Sequence, residues 1–206
     1  MKIVVITDDV LKQELLAQGL VEDVQIEWQS EINPVAGADG YIDLLFNLSA
    51  ERIDQLKKLQ PATIIVNSVS NTLAESAKDF VRINGWNSFL KRLLIEMTGD
   101  EQHRTMAENI FSCFNKTAEW VPDVPGLISA RVISTIINEA YFTLEEKIST
   151  KVEIDTAMRF GTNYPYGPFE WGEKIGLMKV YQLLSILAET NSRYTPSALL
   201  QLEALS

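Results

Sequence analysis

The sequence predicts a doubly wound, mostly parallel α/β domain over residues 1–122, followed by an all-helical domain over residues 123–206. Three observations carry this expectation. Short β-branched runs alternate with segments of helical period through the first part. Pro122 and Pro125-Gly126 then interrupt regular structure. Beyond them, apolar residues recur only at helical spacing.

Taken in order, Lys2 to Thr7 is a β-branched strand, and Asp9 to Gln18 carries Val10, Leu11, Leu15 and Leu16 on one helical face that stops at Gly19. Asp23 to Trp28 and Tyr41 to Phe46 read as strands. Ser49 to Leu59 reads as a helix with Ser49 as N-cap, and Ala62 to Val66 as a buried strand. The spacing predicts a helix over Asn71 to Lys78, extended chain over Phe80 to Trp86 and Leu93 to Met97, a helix over Asp100 to Phe114 and a last strand over Ala118 to Val121. In the second part, Leu127 to Glu146, Ile154 to Phe160 and Phe169 to Ala188 read as helices. The first and last of these are apolar on more than one face, which predicts a twin subunit packed against them, the alternative being that the first domain and the helical unit itself cover both faces.

Composition excludes several classes of function. A net charge of −10 provides no basic stripe to neutralise phosphates, so neither nucleic acid nor an anionic membrane is an expected partner. No apolar run approaches the roughly 20 residues of a membrane span, and the apolar start runs directly into charge, so the chain is expected to be cytoplasmic. One cysteine, Cys113, excludes an internal disulfide, and with one histidine, His103, no metal site is expected. His103 reads as a surface residue in a helix's first turn, and Cys113 as core.

The helical part carries an ordered string of motifs. It runs Asp123-Val-Pro-Gly-Leu-Ile-Ser-Ala-Arg131, Asn138-Glu-Ala140, Glu153-Ile-Asp-Thr-Ala-Met-Arg-Phe-Gly161, Tyr164-Pro-Tyr-Gly-Pro-Phe-Glu170 and Ile175-Gly-Leu177, and closes on Arg193-Tyr-Thr-Pro-Ser197. In this order it resembles the C-terminal domain of the 3-hydroxyacyl-CoA dehydrogenase family, and residues 2–122 align with that family's nucleotide domain. The residues themselves read as fold determinants: glycines at turns, prolines stopping helices, aromatics in the core.

The resemblance implies a Rossmann-like first domain, NAD as cofactor, a 3-hydroxyacyl-CoA substrate and dimerisation through the helical domain. It also implies where the chemistry would sit, and there the chain departs from the family. The turn after the first strand, where glycines would admit a pyrophosphate, reads Thr7-Asp8-Asp9, which suits a helix cap and opposes a phosphate. Only Glu27 or Glu31 lies near the position that would hold the ribose. Asn84 falls at the family's catalytic histidine, and an amide takes no proton near neutral pH. Glu96, twelve residues on, matches the glutamate that orients that histidine. Val69, flanked by Ser68 and Ser70, falls at the substrate-side serine, and Ala130 at the substrate-side asparagine. A helical insertion of the family is replaced by the short Ser30 to Asp39.

The expected function is therefore that of a 3-hydroxyacyl-CoA dehydrogenase-like dimer without NAD binding or dehydrogenase activity, acting as a scaffold or as a binder of acyl-CoA or an acyl chain. No cofactor is expected. The alternative is an active NAD-dependent dehydrogenase of fatty-acid metabolism with an unusual site.

Overall fold

The computed structural model describes residues 1–206, which divide into two compact units, Met1–Leu127 and Ile128–Ser206. The first contains a seven-stranded sheet: β1 (Lys2–Ile6), β2 (Gln25–Gln29), β3 (Gly40–Asp43), β4 (Thr63–Asn67), β5 (Val81–Ile83), β6 (Leu94–Thr98) and β7 (Thr117–Trp120). Their order is β2-β1-β3-β4-β5-β6-β7. The first five are parallel, β6 is antiparallel to β5, and β7 is parallel to β6. The predicted mostly parallel sheet is thus present.

Alternation along the strands builds two cores, because successive side chains point to opposite faces. Ile3, Val5, Ile42, Ile65, Val81, Ile83, Ile95 and Met97 face one side, packed under α1 (Asp9–Leu15) and α3 (Glu101–Ser112) through Leu11, Leu15, Ala107, Ile110 and Phe111. Val4, Ile6, Tyr41, Ile64 and Val66 face the other, under α2 (Ala50–Lys57) through Leu56. Ser49 caps α2 as expected, accepting from Arg52 N. The order reverses at β1, whose neighbours are β2 and β3, so the crevice of this doubly wound sheet lies at the C-terminal end of β1.

Several expectations need correction. Residues 71–78 form turns, not a helix. Arg82, between the apolar Val81 and Ile83, projects to the face opposite theirs and is fully buried there. Its guanidinium takes the carbonyls of Asn71 and Val124 and pairs with Asp123 at 3.0 Å, while Asp123 accepts from Leu73 N at 2.9 Å. The Asn71 carbonyl that a helix would have used is thus spent on the Arg82 guanidinium. The first helix also stops earlier, at Leu15, and Leu16–Gln18 tightens into a 3₁₀ turn.

The second unit contains α4 (Ser129–Glu145), α5 (Lys151–Thr162), α6 (Pro168–Ile175), α7 (Leu177–Ala188) and α8 (Ala198–Ala204). The single helix expected over 169–188 is two helices, parted at Gly176, whose φ of +96° favours glycine. The motif residues act as fold determinants. Asn138 donates to Thr195 O at 2.9 Å and accepts from Ser197 N at 2.8 Å, tying the closing motif to α4. Asp155 on α5 accepts from Phe169 N at 2.8 Å and Glu170 N at 3.2 Å, capping α6. Burial pushes its carboxyl up, and those two N–H groups counter it. Thr150 and Glu153 form a capping box on α5. No helix is long and apolar enough to cross a membrane.

Candidate functional site

β1 delivers Thr7 and Asp8 to the crevice. Thr7 is buried, its hydroxyl donating to Asp8 O at 3.0 Å. Asp8 is the N-cap of α1, and its Oδ1 accepts from Leu11 N at 2.8 Å. One of the free N–H groups at the start of α1 is therefore already bound to an acid of the chain itself. Asp9 is exposed in the same first turn. At the neighbouring strand end stands Trp28, with Lys12 Nζ 4.6 Å from its ring centre. Glu27 is exposed and accepts from Gln29 Nε2 at 2.9 Å, and Glu31 is exposed beyond the strand.

The end of β3 adds Asp43, fully buried. Arg52 reaches it from α2 with two bonds of 2.7 Å, and Leu45 N donates to it at 3.1 Å. Burial pushes the Asp43 carboxyl up, and Arg52 works against that rise.

The β5–β6 segment brings Asn84 and Glu96 together, as their spacing implies. The backbone N–H of Asn84 donates to Glu96 O at 3.1 Å. The side chains meet directly across the strands, Asn84 Nδ2 standing 3.4 Å from Glu96 Oε2, and both residues are buried. A carboxylate beside an amide donor can orient a ligand hydroxyl or carbonyl, but the amide accepts no proton. Val69 is buried with its carbonyl accepting from Gly126 N, and Ser68 Oγ is spent on Asn71 O at 3.2 Å. Ser70 is half-buried. Ala130 belongs to the second unit, buried in the first turn of α4. His103 lies near the start of α3, beside Gln102. Cys113 is buried, and its thiol is pushed up by that burial. No group of three or more His, Cys, Asp or Glu side chains is arranged to hold a metal.

Sequence reasoning missed the residues that fix the segment carrying Asn84. Asn67 clips Gly85, donating to its carbonyl at 3.2 Å and accepting from its N–H at 2.9 Å. A Cβ at Gly85 would stand 2.7 Å from Asn67 Cγ, so this approach needs glycine. Glu14, from α1, accepts from Ser88 N at 2.8 and 2.7 Å. Lys116, itself buried, donates to Leu90 O at 2.6 Å and Arg92 O at 2.9 Å. Asn67, directly after the apolar run Ile64-Ile65-Val66, was the one trace these left in the sequence.

Comparison with known proteins agrees with this architecture. Residues 126–203 match the model of the 3-hydroxyacyl-CoA dehydrogenase C-terminal domain. The 3-hydroxyadipyl-CoA dehydrogenase of Escherichia coli (strain K12) is 41% identical over 92 residues, 44% of this chain and 19% of the relative. The 3-hydroxybutyryl-CoA dehydrogenase of Bradyrhizobium diazoefficiens is 27% identical over 179 residues, 77% of this chain and 61% of the relative. The chain thus spans less than two thirds of either relative's length. The crystal structure of (S)-3-hydroxybutyryl-CoA dehydrogenase from Ralstonia eutropha shares the fold, with a TM-score of 0.76 at 16% identity over 97% of this chain and 92% of that one. Residues 126–203 thus belong with the 3-hydroxyacyl-CoA dehydrogenase C-terminal domain, and the seven-stranded, mostly parallel sheet before them has the fold of solved 3-hydroxyacyl-CoA dehydrogenases.

Proposed function

We propose that this chain keeps the family scaffold without its dehydrogenase chemistry, acting as a homodimeric scaffold or as a binder of acyl-CoA or an acyl chain in the cytoplasm. The observation that carries this is the Asp8 cap. A pyrophosphate at this turn would need the N–H groups at the start of α1, and one of them is already bonded to the Asp8 carboxylate. Like charges a few Å apart add repulsion on the order of 1 kcal/mol even near solvent. The residues present do not fit NAD in the family manner. Asn84 points the same way, since it removes the base that would accept the substrate's hydroxyl proton.

The relatives are named for CoA thioesters, so a CoA thioester is the ligand class to test first. Thermal-shift measurements with NADH, acetoacetyl-CoA and free CoA separate the readings. A ligand at a hundred times its Kd stabilises by about 2.7 kcal/mol. Stabilisation by the thioester alone supports a binder, and by none of them a scaffold; stabilisation by NADH overturns the proposal. Cell fractionation checks the compartment.

The second reading, an active NAD-dependent dehydrogenase, is favoured by Glu96, which stands against Asn84 where the orienting glutamate belongs. Oxidation of 3-hydroxybutyryl-CoA at an ordinary enzyme rate would establish it. The homodimer is proposed through the helical unit. Light scattering at micromolar concentration tests it against the single-chain mass of 23.2 kDa.

A further inference from the structure

We infer that residues 88–92, between Asn84 and Glu96 of the candidate site, form a strap that opens and closes as one piece, buckled by Glu14 and Lys116 and tightened as pH rises. The inference concerns the fold and holds for a scaffold and a binder alike. The strap lies in the connection from β5 to β6 and belongs to no strand. Its own backbone bonds are those of turns, Leu90 N donating to Trp86 O at 3.2 Å and Arg92 N to Phe89 O at 3.1 Å. Side chains from two other places tie it to the first unit. Both Glu14 oxygens accept from Ser88 N, and Gln18 Nε2, at the end of the same helical segment, donates to Lys91 O at 2.9 Å. From the turn before β7, Lys116 donates to Leu90 O and Arg92 O.

The closed strap carries two costs that opening relieves. Ser88 is buried with a φ of +73°, a left-handed conformation that residues other than glycine rarely adopt, and Glu14 grips its N–H there. Lys116 is buried as well, which takes an ammonium out of the water that stabilises it. Against these stand the apolar anchors Phe89 and Leu90, both buried, which hold the strap shut. A segment outside the sheet, held by a few side-chain bonds and carrying strain, is the kind that opens locally while the rest of the fold stays intact.

The charges around Lys116 give the direction of the pH response. Burial pulls its ammonium down to about 8, and Glu14, facing it from α1, works the other way. On the strap itself, Lys91 is half-buried and Arg92 sets its guanidinium over the Phe89 ring, 4.5 Å from the centre. Cys113, three residues before Lys116, turns its thiol to Asn109 O at 3.3 Å. When the strap opens, Lys116 regains water and its ordinary value of 10.5. The open form then holds a proton that the closed form gives up, so opening is greatest below about pH 8 and falls as pH rises from there to 10.5. A neutral amine still has N–H groups for both carbonyls, so deprotonation removes the buried charge without unbuckling the strap.

Amide hydrogen exchange, corrected for the intrinsic rate at each pH, compares Ser88, Leu90 and Arg92 with Val4 and Val5 of β1. In wild type the strap amides are expected to open more readily than those of β1, with an opening constant that falls at least ~10-fold from pH 7 to pH 9.5. Glu14→Gln keeps an acceptor for Ser88 N but removes the charge that favours the Lys116 ammonium, so the fall begins at lower pH. In Lys116→Met the strap's opening no longer responds to pH. Strap amides that exchange only when β1 does, a wild-type opening independent of pH, or a response that survives in Lys116→Met overturns the inference. If Lys116→Met does not fold, Glu14→Gln decides, and a fall that begins at the wild-type pH overturns it too.

Discussion

Asn84 faces Glu96 across β5 and β6, its amide nitrogen 3.4 Å from a carboxylate oxygen and its backbone N–H on the carbonyl of the same residue. Strand register holds the pair, so its geometry outlasts a change of side chain. Wild type is expected to show no oxidation of 3-hydroxybutyryl-CoA above background, because the base it lacks is typically worth about 10²–10⁴-fold. Asn84→His restores a titrating group against Glu96 but leaves Asp8 in place, so it too is expected to stay inactive with NAD. Coupled absorbance at 340 nm is the assay, and wild-type turnover at an ordinary rate would refute the proposed loss.

Asp8→Ala removes the N-cap of α1. The loss of the 2.8 Å bond to Leu11 N is expected to cost about 1 kcal/mol in stability, read from urea denaturation. Removing the acid also frees the N–H. If Asp8 is what excludes phosphate, NADH affinity rises in this variant; if binding stays absent, the shape of the turn and not its charge is the barrier.

Lys116 gives the first unit a pH dependence of known sign. Burial pulls its ammonium down from the ordinary lysine value of 10.5 to about 8, with Glu14 partly countering. Between those two values the unfolded chain holds the proton that the folded chain has released, so stability rises with pH across that window. The gain is at most ~3 kcal/mol. Lys116→Met is expected to flatten the slope, which denaturation midpoints at pH 7 and pH 10 would reveal. It also gives up the bonds to Leu90 O and Arg92 O, so it is less stable than wild type at pH 10.

Gly167 passes directly over Asp155, and a Cβ there would collide with its carboxyl group. Gly167→Ala is expected to displace the cap of α6 and to destabilise the helical unit by about 1–3 kcal/mol. Asp155→Ala loses both capping bonds and is expected to cost about 1 kcal/mol. Because the two changes break one arrangement, the double variant should cost less than the sum of the singles, and additive costs would show that they act separately.

The sequence by itself determined the two-part plan, the alternation of strands and helices and the cap at Asp8, and the resemblance set Asn84 and Glu96 at matching positions twelve residues apart. These are local periods or fixed offsets, and a one-dimensional string records such relations directly. The tertiary structure decided what depended on distant partners. Residues 71–78 have the spacing of a helix, yet the buried Arg82 takes the Asn71 carbonyl and the exposed Asp123 holds Leu73 N, and turns result. The segment carrying Asn84 is fixed by Asn67, Glu14 and Lys116, which come from three separate parts of the chain. Likewise the apolar spacing of α4, α5 and α7 is similar in sequence, and only packing showed which of those residues stay uncovered: Val132 on α4, Val152 and Phe160 on α5, and Met178 on α7. Side-chain hydrogen bonds between remote segments leave no period in a sequence, and a helix's apolar face does not name the surface that covers it.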